Sequence, residues 1–546
     1  MNVFTTSAVL LLAASVLSAD ARAASGKGQT DWNAKAQQEL KEALAWKPNV
    51  NVAKNVILFL GDGMGPSTVT AARFYMAQSR GRKIEDTAFS WESFPNVALS
   101  KTYSVDRMTA DSSSTAVAYL CGVKTNFGVV GVNENVRRGD CSNIAGNEVD
   151  SILRRSIKAN KWAGVVSTTR MTHATPANTY AHVGERKAES SVPDNVIEGN
   201  KCKDIASQLI DDNDDIRVLL AGGRREFLPN TEVGGKRKDG RNLIQDWLKK
   251  KNDSGLADGE YAYVSRKQEL EKVDLNKVQY LFGLFNMNNM KYEYERIAEH
   301  IITEPSLAQM TESAIRVLER SEHGYFLLVE GGRIDHGHHE GRAFPALNDT
   351  VAFSEAVQKA MDITSEEDTL IVVTADHSLT FTMGGYPSIN NPILGLVDEF
   401  PGKAPDDGKP MLTLTYSDGP GFDVHHMKNG AEVPRMNLSG SDTTAPDFVQ
   451  DAGVPRYEVS HGGEDVAIYA RGPMSHLFHG VHEQNYIAHV MEYASCVGAN
   501  QDHCKKPRKK PWCDECAGRG RSAGLRARQG PLTLGFLWAL LMLCVT

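Results

Sequence analysis

The 546-residue chain has no hydrophobic run of the roughly 20 residues that a comfortable membrane-spanning helix needs; its two most apolar stretches, 9–17 and 531–545, are both shorter. It has no excess of positive charge either. The formal charge is −8 at pH 7 and the dense basic cluster is confined to 505–510, so nothing in the balance points to nucleic-acid binding. Internal repeats are absent, which removes solenoid and propeller architectures. Cysteine is scarce, with eight residues in all, and the C-x-x-C spacing of Cys513 and Cys516 has no second pair to complete a zinc or redox motif. What remains is an ordinary globular composition, long enough for one very large domain or two to three smaller ones.

Both ends read as targeting segments. No Lys or Arg precedes the apolar core at 9–17, but small residues follow it at Ala19, Ala21 and Ala23, the pattern of a secretory signal peptide over about 1–23. At the other end, small residues (Ser522, Ala523, Gly524), a basic and polar spacer over 501–530 and an apolar tail at 531–546 read as a GPI-attachment signal, with a single C-terminal span as the alternative. Export agrees with the cysteines, of which Cys141 with Cys202 and Cys496 with Cys504 are candidate bridges by proximity. Asn252, Asn348 and Asn437 open N-x-S/T glycosylation acceptors.

Apolar, β-branched runs recur at 55–60, 164–167, 216–221, 325–329, 369–374 and 466–470, with helical periodicity between them, as at 307–320 and 348–363. Near-continuous apolar strands predict burial on both faces. The expected fold class is therefore α/β, a large, mostly parallel central sheet flanked by helices on both faces, within a body spanning 24–500. From 386 to 454 the composition shifts to Gly, Pro, Asn and Asp with one clear strand at 411–416, which marks an inserted subdomain.

Metal-binding residue types recur where these strands end, which is where open α/β sheets bind ligands. Asp62 follows the first strand and His173 the second; Glu330, Asp335 and His339 follow the fourth, Asp376-His377 closes the fifth, and His461 precedes the last. The densest stretch, Glu330-Gly331-Gly332-Arg333-Ile334-Asp335-His336-Gly337-His338-His339, is poor packing material and good ligand material. Asp335, His339 and His461 suit a zinc site with an open position; Asp62, Asp376 and His377 suit a second; Glu330 suits magnesium. Two zinc ions about 4 Å apart can clamp the entering and leaving oxygens of a phosphoryl transfer. Ser112, at the start of a helical stretch, reads alone as a cap but becomes a candidate nucleophile beside such metals. Arg186 follows His173-Ala174-Thr175-Pro176 closely enough to clamp a phosphate, with Arg170, Arg224, Arg333 and Arg342 as competitors.

These motifs resemble those of the animal alkaline phosphatases of GPI-anchored type. The resemblance rests on Leu60-Gly61-Asp62-Gly63-Met64-Gly65, Asp111-Ser112 with Tyr119-Leu120-Cys121-Gly122-Val123-Lys124, Thr169-Arg170 with His173 to Pro176, Val329 to His339, Thr374 to Ser378, and His461 to Ala467, in the family's order across about 45–500. It implies a phosphate monoesterase working through a phosphoserine on Ser112, with Arg186 as the phosphate clamp. It implies one zinc on Asp335, His339 and His461, a second on Asp62, Ser112, Asp376 and His377, and magnesium on Asp62, Thr175 and Glu330 with His173 nearby. His336 and His338 are left as supporting residues. It also implies a homodimer on the extracellular face of the plasma membrane, held by its lipid anchor.

The sequence departs from the family's pattern in three places. Ser113-Ser114 replaces smaller residues beside the nucleophile. A calcium site, implied at Glu232, Phe285, Asn286 and Glu304, has Asn286 where relatives carry a carboxylate, which weakens it. The 386–454 insertion corresponds to a variable crown where residue-by-residue transfer fails. Sulfatases and phosphodiesterases share the metal architecture, but the sulfatase Cys/Ser-x-Pro-x-Arg motif is not what surrounds Ser112. A surface protein with retired catalysis would have broken a ligand, and none is broken.

Overall fold

The structure, a computed structural model, describes residues 31–298, 303–398 and 405–504. The signal-peptide and tail readings, most of the spacer, and Cys513, Cys516 and Cys544 lie outside the described residues.

Ten strands form one sheet: β1 (Asn55–Gly61), β2 (Asn96–Lys101), β3 (Trp162–Arg170), β4 (Val218–Gly222), β5 (Tyr261–Val264), β6 (Tyr280–Leu284), β7 (Tyr325–Gly331), β8 (Thr369–Ala375), β9 (Val466–Arg471) and β10 (Gly480–Glu483). Their order across the sheet is β10-β2-β9-β8-β1-β7-β3-β4-β6-β5. Every pairing is parallel except those of β9, which runs antiparallel to both β2 and β8. The central strands are apolar at nearly every position because both faces are covered: β7 and β8 are buried throughout.

Side chains alternate between two cores. Ile57 and Phe59 of β1 face a core containing α2 (Pro66–Ser79), α4 (Leu307–Leu318) and α6 (Ala343–Ile363), while Val56, Leu58 and Leu60 face one containing α3 (Ser112–Cys121) and α7 (Tyr486–Ser495). The helix α1 (Trp32–Ala45) buries no residue in either. The short helix α5 (Arg333–His339) follows β7 directly.

Four strands escape the sequence reading. β2 alternates buried and exposed residues, so it lacks the continuous apolar run of the central strands; β5, β6 and β10 are only four or five residues long. α6 begins at Ala343, five residues before the periodicity becomes clear, and carries Pro345 in its first turn, where a missing N–H costs nothing. In the inserted segment the expected strand shortens to Leu414–Tyr416, paired antiparallel with Phe381–Met383, and a small hairpin joins Met427–Lys428 to Ala431–Glu432.

Cys141–Cys202 and Cys496–Cys504 are disulfides, as the spacing suggests, and Cys121 is buried and free. Asn348 lies inside α6, its side-chain amide donates to the Tyr75 hydroxyl, and the next two residues are buried. Asn252 and Asn437 are exposed. Among the described residues no helix is long and apolar enough to cross a membrane.

Candidate active site

β1, β7 and β8 lie side by side and end level, with Gly61 opposite both Gly331 and Ala375. Asp62, Glu330 and Asp376 therefore emerge together at one sheet edge. Gly63 turns the chain there with φ +68°, and a Cβ on it would come within 2.4 Å of Leu379 Cδ2. α5 then presents Asp335 and His339, spaced i and i+4, on one face. At Gly337 a Cβ would sit 2.7 Å from the Ala346 nitrogen, so glycine lets α6 pack against this helix. The reversal of β9 completes the set. Its start, not its end, lies at the same edge, and His461-Gly462 pairs antiparallel with Ser378-Leu379 to bring His461 beside His377.

Three ligand groups result, each with its candidate donor atoms within 4.8 Å of one another: Asp335, His339 and His461; Asp62, Asp335 and His377; Asp62, His173 and Glu330. His339 Nε2 lies 3.1 Å from Asp335 Oδ2 and 3.1 Å from His461 Nε2. His377 Nε2 lies 3.0 Å from Asp376 Oδ2 and 3.6 Å from Asp62 Oδ1. His339 Nδ1 donates to the Val459 carbonyl and His461 Nδ1 to that of Ala110, at 2.7 and 2.8 Å, which turns both Nε2 atoms to the common point. Glu330 accepts from the hydroxyls of Ser167 and Thr169, and Thr175 is buried beside it.

The electrostatics call for cations. Burial, then the carboxylates of Asp376, Asp335 and Glu330, push the Asp62 carboxyl well above its usual range. Burial lifts Glu330 to about 7, whereas burial and the neighbouring His377 take His461 down to about 3. No donor among the described residues reaches the buried Asp62 Oδ2, Glu330 Oε1 or Asp335 Oδ1. Buried carboxylate oxygens without donors are what divalent ions satisfy, so the donor set fits zinc and magnesium. A fourth group, Cys496, His503 and Cys504, does not compete, because its cysteines form a disulfide.

Ser112 opens α3 with its hydroxyl 3.2 Å from His377 Nε2 and 3.4 Å from Asp62 Oδ1. Asp111 is the N-cap, accepting from the Ser114 nitrogen, and its other oxygen accepts from Arg186 Nη1. Arg186 Nη2 lies 3.5 Å from His173 Nε2. Asp111, Ser112, His173 and Arg186 line a cleft of about 850 Å³ with Arg138 and Tyr457. Of the competing arginines, Arg170 lines the same cleft but is held bidentate by Glu189; Arg224 lies against Met287 Sδ, Arg333 against His336 Nδ1, and Arg342 against Glu340 and the Pro446 carbonyl.

The hydroxyls beside Ser112 turn away from it. Ser113 donates to the Val129 carbonyl and accepts from Asn178, and Ser114 donates to Asp111. His336 packs edge-on against His173, and His338 lies between the hydroxyls of Thr68 and Tyr416. Of the calcium candidates, Asn286 Nδ2 and the Lys291 nitrogen each donate to a Glu304 oxygen, Phe285 is buried, and Glu232 is exposed with its carboxylate on Asn242. The residues that sequence reasoning missed are those acting at a distance along the chain, above all Val459, Ala110 and Ser167; no local pattern marks them.

The family model for alkaline phosphatase matches residues 53–497. The chain is 46% identical over 486 residues to the tissue-nonspecific alkaline phosphatase isozyme of Gallus gallus, covering 87% of this chain and 90% of that protein. It is 45% identical over 483 residues to an alkaline phosphatase of Gadus morhua, covering 86% and 98%. Among solved structures it resembles the Thermus thermophilus alkaline phosphatase in fold, with a TM-score of 0.59 at 22% identity over 83% of this chain and 93% of that one. The chain belongs to the alkaline phosphatase family and is a metal-dependent phosphate monoester hydrolase.

Proposed function

We propose that hydrolysis passes through a phosphoserine on Ser112, in a site that holds two zinc ions and one magnesium. The observation that carries this reading is the convergence on the Ser112 hydroxyl of ligand groups whose buried oxygens lack donors. Asp335, His339 and His461 would hold one zinc; Asp62, Asp376 and His377, with Ser112, the second; Asp62, Thr175 and Glu330 the magnesium, with His173 beside it. Bound there, the ions supply Lewis-acid charge that lowers the pKa of a hydroxyl and offsets phosphate charge.

The chain's own groups do the positioning. Asp62 and His377 aim Ser112 Oγ, which attacks phosphorus in line; a P–O bond forms to Oγ as that to the leaving alcohol breaks. Water then attacks from the opposite side, releasing inorganic phosphate and restoring the serine. The N-terminus of α3 offers free N–H groups to phosphate oxygens. Arg186, steadied by Asp111, keeps its remaining N–H groups for them. Calcium gains less support, since both Glu304 oxygens already accept from N–H donors.

The same reading places the chain on the extracellular face of the plasma membrane through a GPI anchor near Ser522, as an exported protein with two disulfides. It also makes the chain a homodimer. Val97, Leu99, Tyr103, Val105, Met108 and Val481 are exposed apolar residues at the β10–β2 edge and the loop after it, and α1 buries none of its residues. The test is an assay of the purified ectodomain on a chromogenic phosphate monoester, with and without chelator and with Ser112→Ala. Activity that survives metal removal or the serine change would sink the phosphoserine and metal assignment. Release from cells by a phosphatidylinositol-specific phospholipase tests the anchor separately.

A further inference from the structure

We propose that Asp418, which lies in the inserted 386–454 segment, is a positioning residue for the metal group of Asp335, His339 and His461. The inference rests on the assignment of zinc to that group.

Asp418 grips the residue next to a ligand. Its Oδ1 accepts from the Ser460 nitrogen at 2.8 Å and from Thr380 Oγ1 at 3.3 Å, and its Oδ2 accepts from Ser460 Oγ at 2.6 Å. Arg456 Nε lies 3.5 Å from the same carboxylate. Ser460 is flanked by two residues that set the group. Val459 exchanges two hydrogen bonds with His339, its nitrogen donating to the His339 carbonyl at 3.1 Å and its carbonyl accepting from His339 Nδ1 at 2.7 Å. His461 follows, with Nδ1 on the Ala110 carbonyl. One carboxylate thus holds the three-residue run that orients one histidine and contains the other.

That run depends on anchors from outside it, Asp418 and also Thr380, whose nitrogen donates to the Ser460 carbonyl at 3.2 Å. The chain from 453 to 460 belongs to no helix or strand, and the pairing that follows is only two residues long, His461-Gly462. Asp418 can act as an anchor because it sits just beyond the strand Leu414–Tyr416, which is braced against Phe381–Met383. Two residues earlier, the Tyr416 hydroxyl meets His338 Nδ1 at 2.8 Å, next to His339. The inserted segment therefore touches the chain neighbour of each histidine ligand, so it supports the metal group as well as covering the surface. Partners of this kind typically change metal affinity about 10- to 100-fold when removed.

The test follows zinc rather than turnover. Purified holoenzyme, Asp418→Ala, Asp418→Asn and the control Arg435→Ala are loaded with zinc and magnesium. Zinc per chain is then followed against time after a chelator is added. Arg435 braces the inserted segment through the Pro410 and Lys409 carbonyls and touches none of the metal residues. The expected result is that Asp418→Ala releases one of its two zinc ions about 10- to 100-fold faster than wild type. The second zinc ion, the magnesium and the melting temperature of the loaded protein stay unchanged. Asp418→Asn, which keeps an oxygen for the Ser460 nitrogen, and Arg435→Ala release zinc as wild type does. Unchanged release from Asp418→Ala would overturn the inference while leaving the zinc assignment intact. Equal acceleration in Arg435→Ala, or loss of all three ions together, would reduce Asp418 to a general structural role. Wild type that retains no zinc would instead overturn the assignment beneath it.

Discussion

Arg186 Nη1 donates to Asp111 Oδ2 across 2.8 Å, and Asp111 is both the N-cap of α3 and the residue before Ser112. The proposed phosphate clamp and the proposed nucleophile are therefore tied to the same carboxylate, which Arg186 holds below the usual carboxylate range against the opposing effect of burial. Removing the guanidinium should weaken both ground state and transition state. Arg186→Ala is expected to lower kcat/KM by on the order of 100-fold, with the inhibition constant of inorganic phosphate rising in parallel. Arg186→Lys should recover little, because a point charge cannot hold Asp111 and two phosphate oxygens at once. Steady-state kinetics with phosphate as a competitive inhibitor decide it; a full rescue by lysine would remove the planar clamp from the mechanism.

Ser113 separates packing from chemistry. Its hydroxyl ties the Val129 carbonyl to Asn178, away from the ligand groups. Ser113→Ala leaves that buried carbonyl without its donor and should cost about 1–3 kcal/mol in thermal or denaturant unfolding. Metal content and kcat should hold. A large fall in kcat with stability intact would show that the hydroxyl reaches the reaction.

Asp349 sets a pH dependence independent of the metals. It is buried in α6, and burial pushes its carboxyl up to about 8 despite the nearby Arg333 and the Glu293 N–H. In the unfolded chain the same group titrates near about 3.9. Between those values the folded chain holds a proton that the unfolded chain has lost, so this group's contribution to stability falls as pH rises from about 4 to 8 and is level above. Asp349→Asn removes the slope. Its melting temperature should gain on wild type across that window; parallel curves from pH 5 to 9 would contradict the raised value.

Glycosylation offers a direct check on burial. Mass spectrometry of the ectodomain from a eukaryotic host should find glycans on Asn252 and Asn437 and none on Asn348, whose amide is engaged inside α6. Occupancy at Asn348 would mean that this helix is open when the transferase meets it.

Much of the site is legible in the amino-acid sequence. Asp62, Glu330 and Asp376 stand at the ends of apolar strands, and carboxylates in such places are costly unless a ligand needs them. The central strands are legible for the same reason, since burial on both faces leaves a continuous apolar run. β2 is not, because half its side chains face outward. The resemblance leaves His338 as a supporting residue, and it lies between two hydroxyls, a role set by Thr68 and Tyr416 from elsewhere in the chain.

The sequence by itself determined the chemistry: which residues could bind metals, which serine could attack, and which strands would bring them to one edge. Those properties follow from residue type and local spacing. Tertiary structure alone decided that β9 runs backwards to deliver His461, that Asp111 holds Arg186, and that Asp418 reaches across to Ser460. Such contacts join segments far apart in the chain through hydrogen bonds and strand register. Their geometry depends on how the intervening chain folds, and so it leaves no mark on the local sequence at either end.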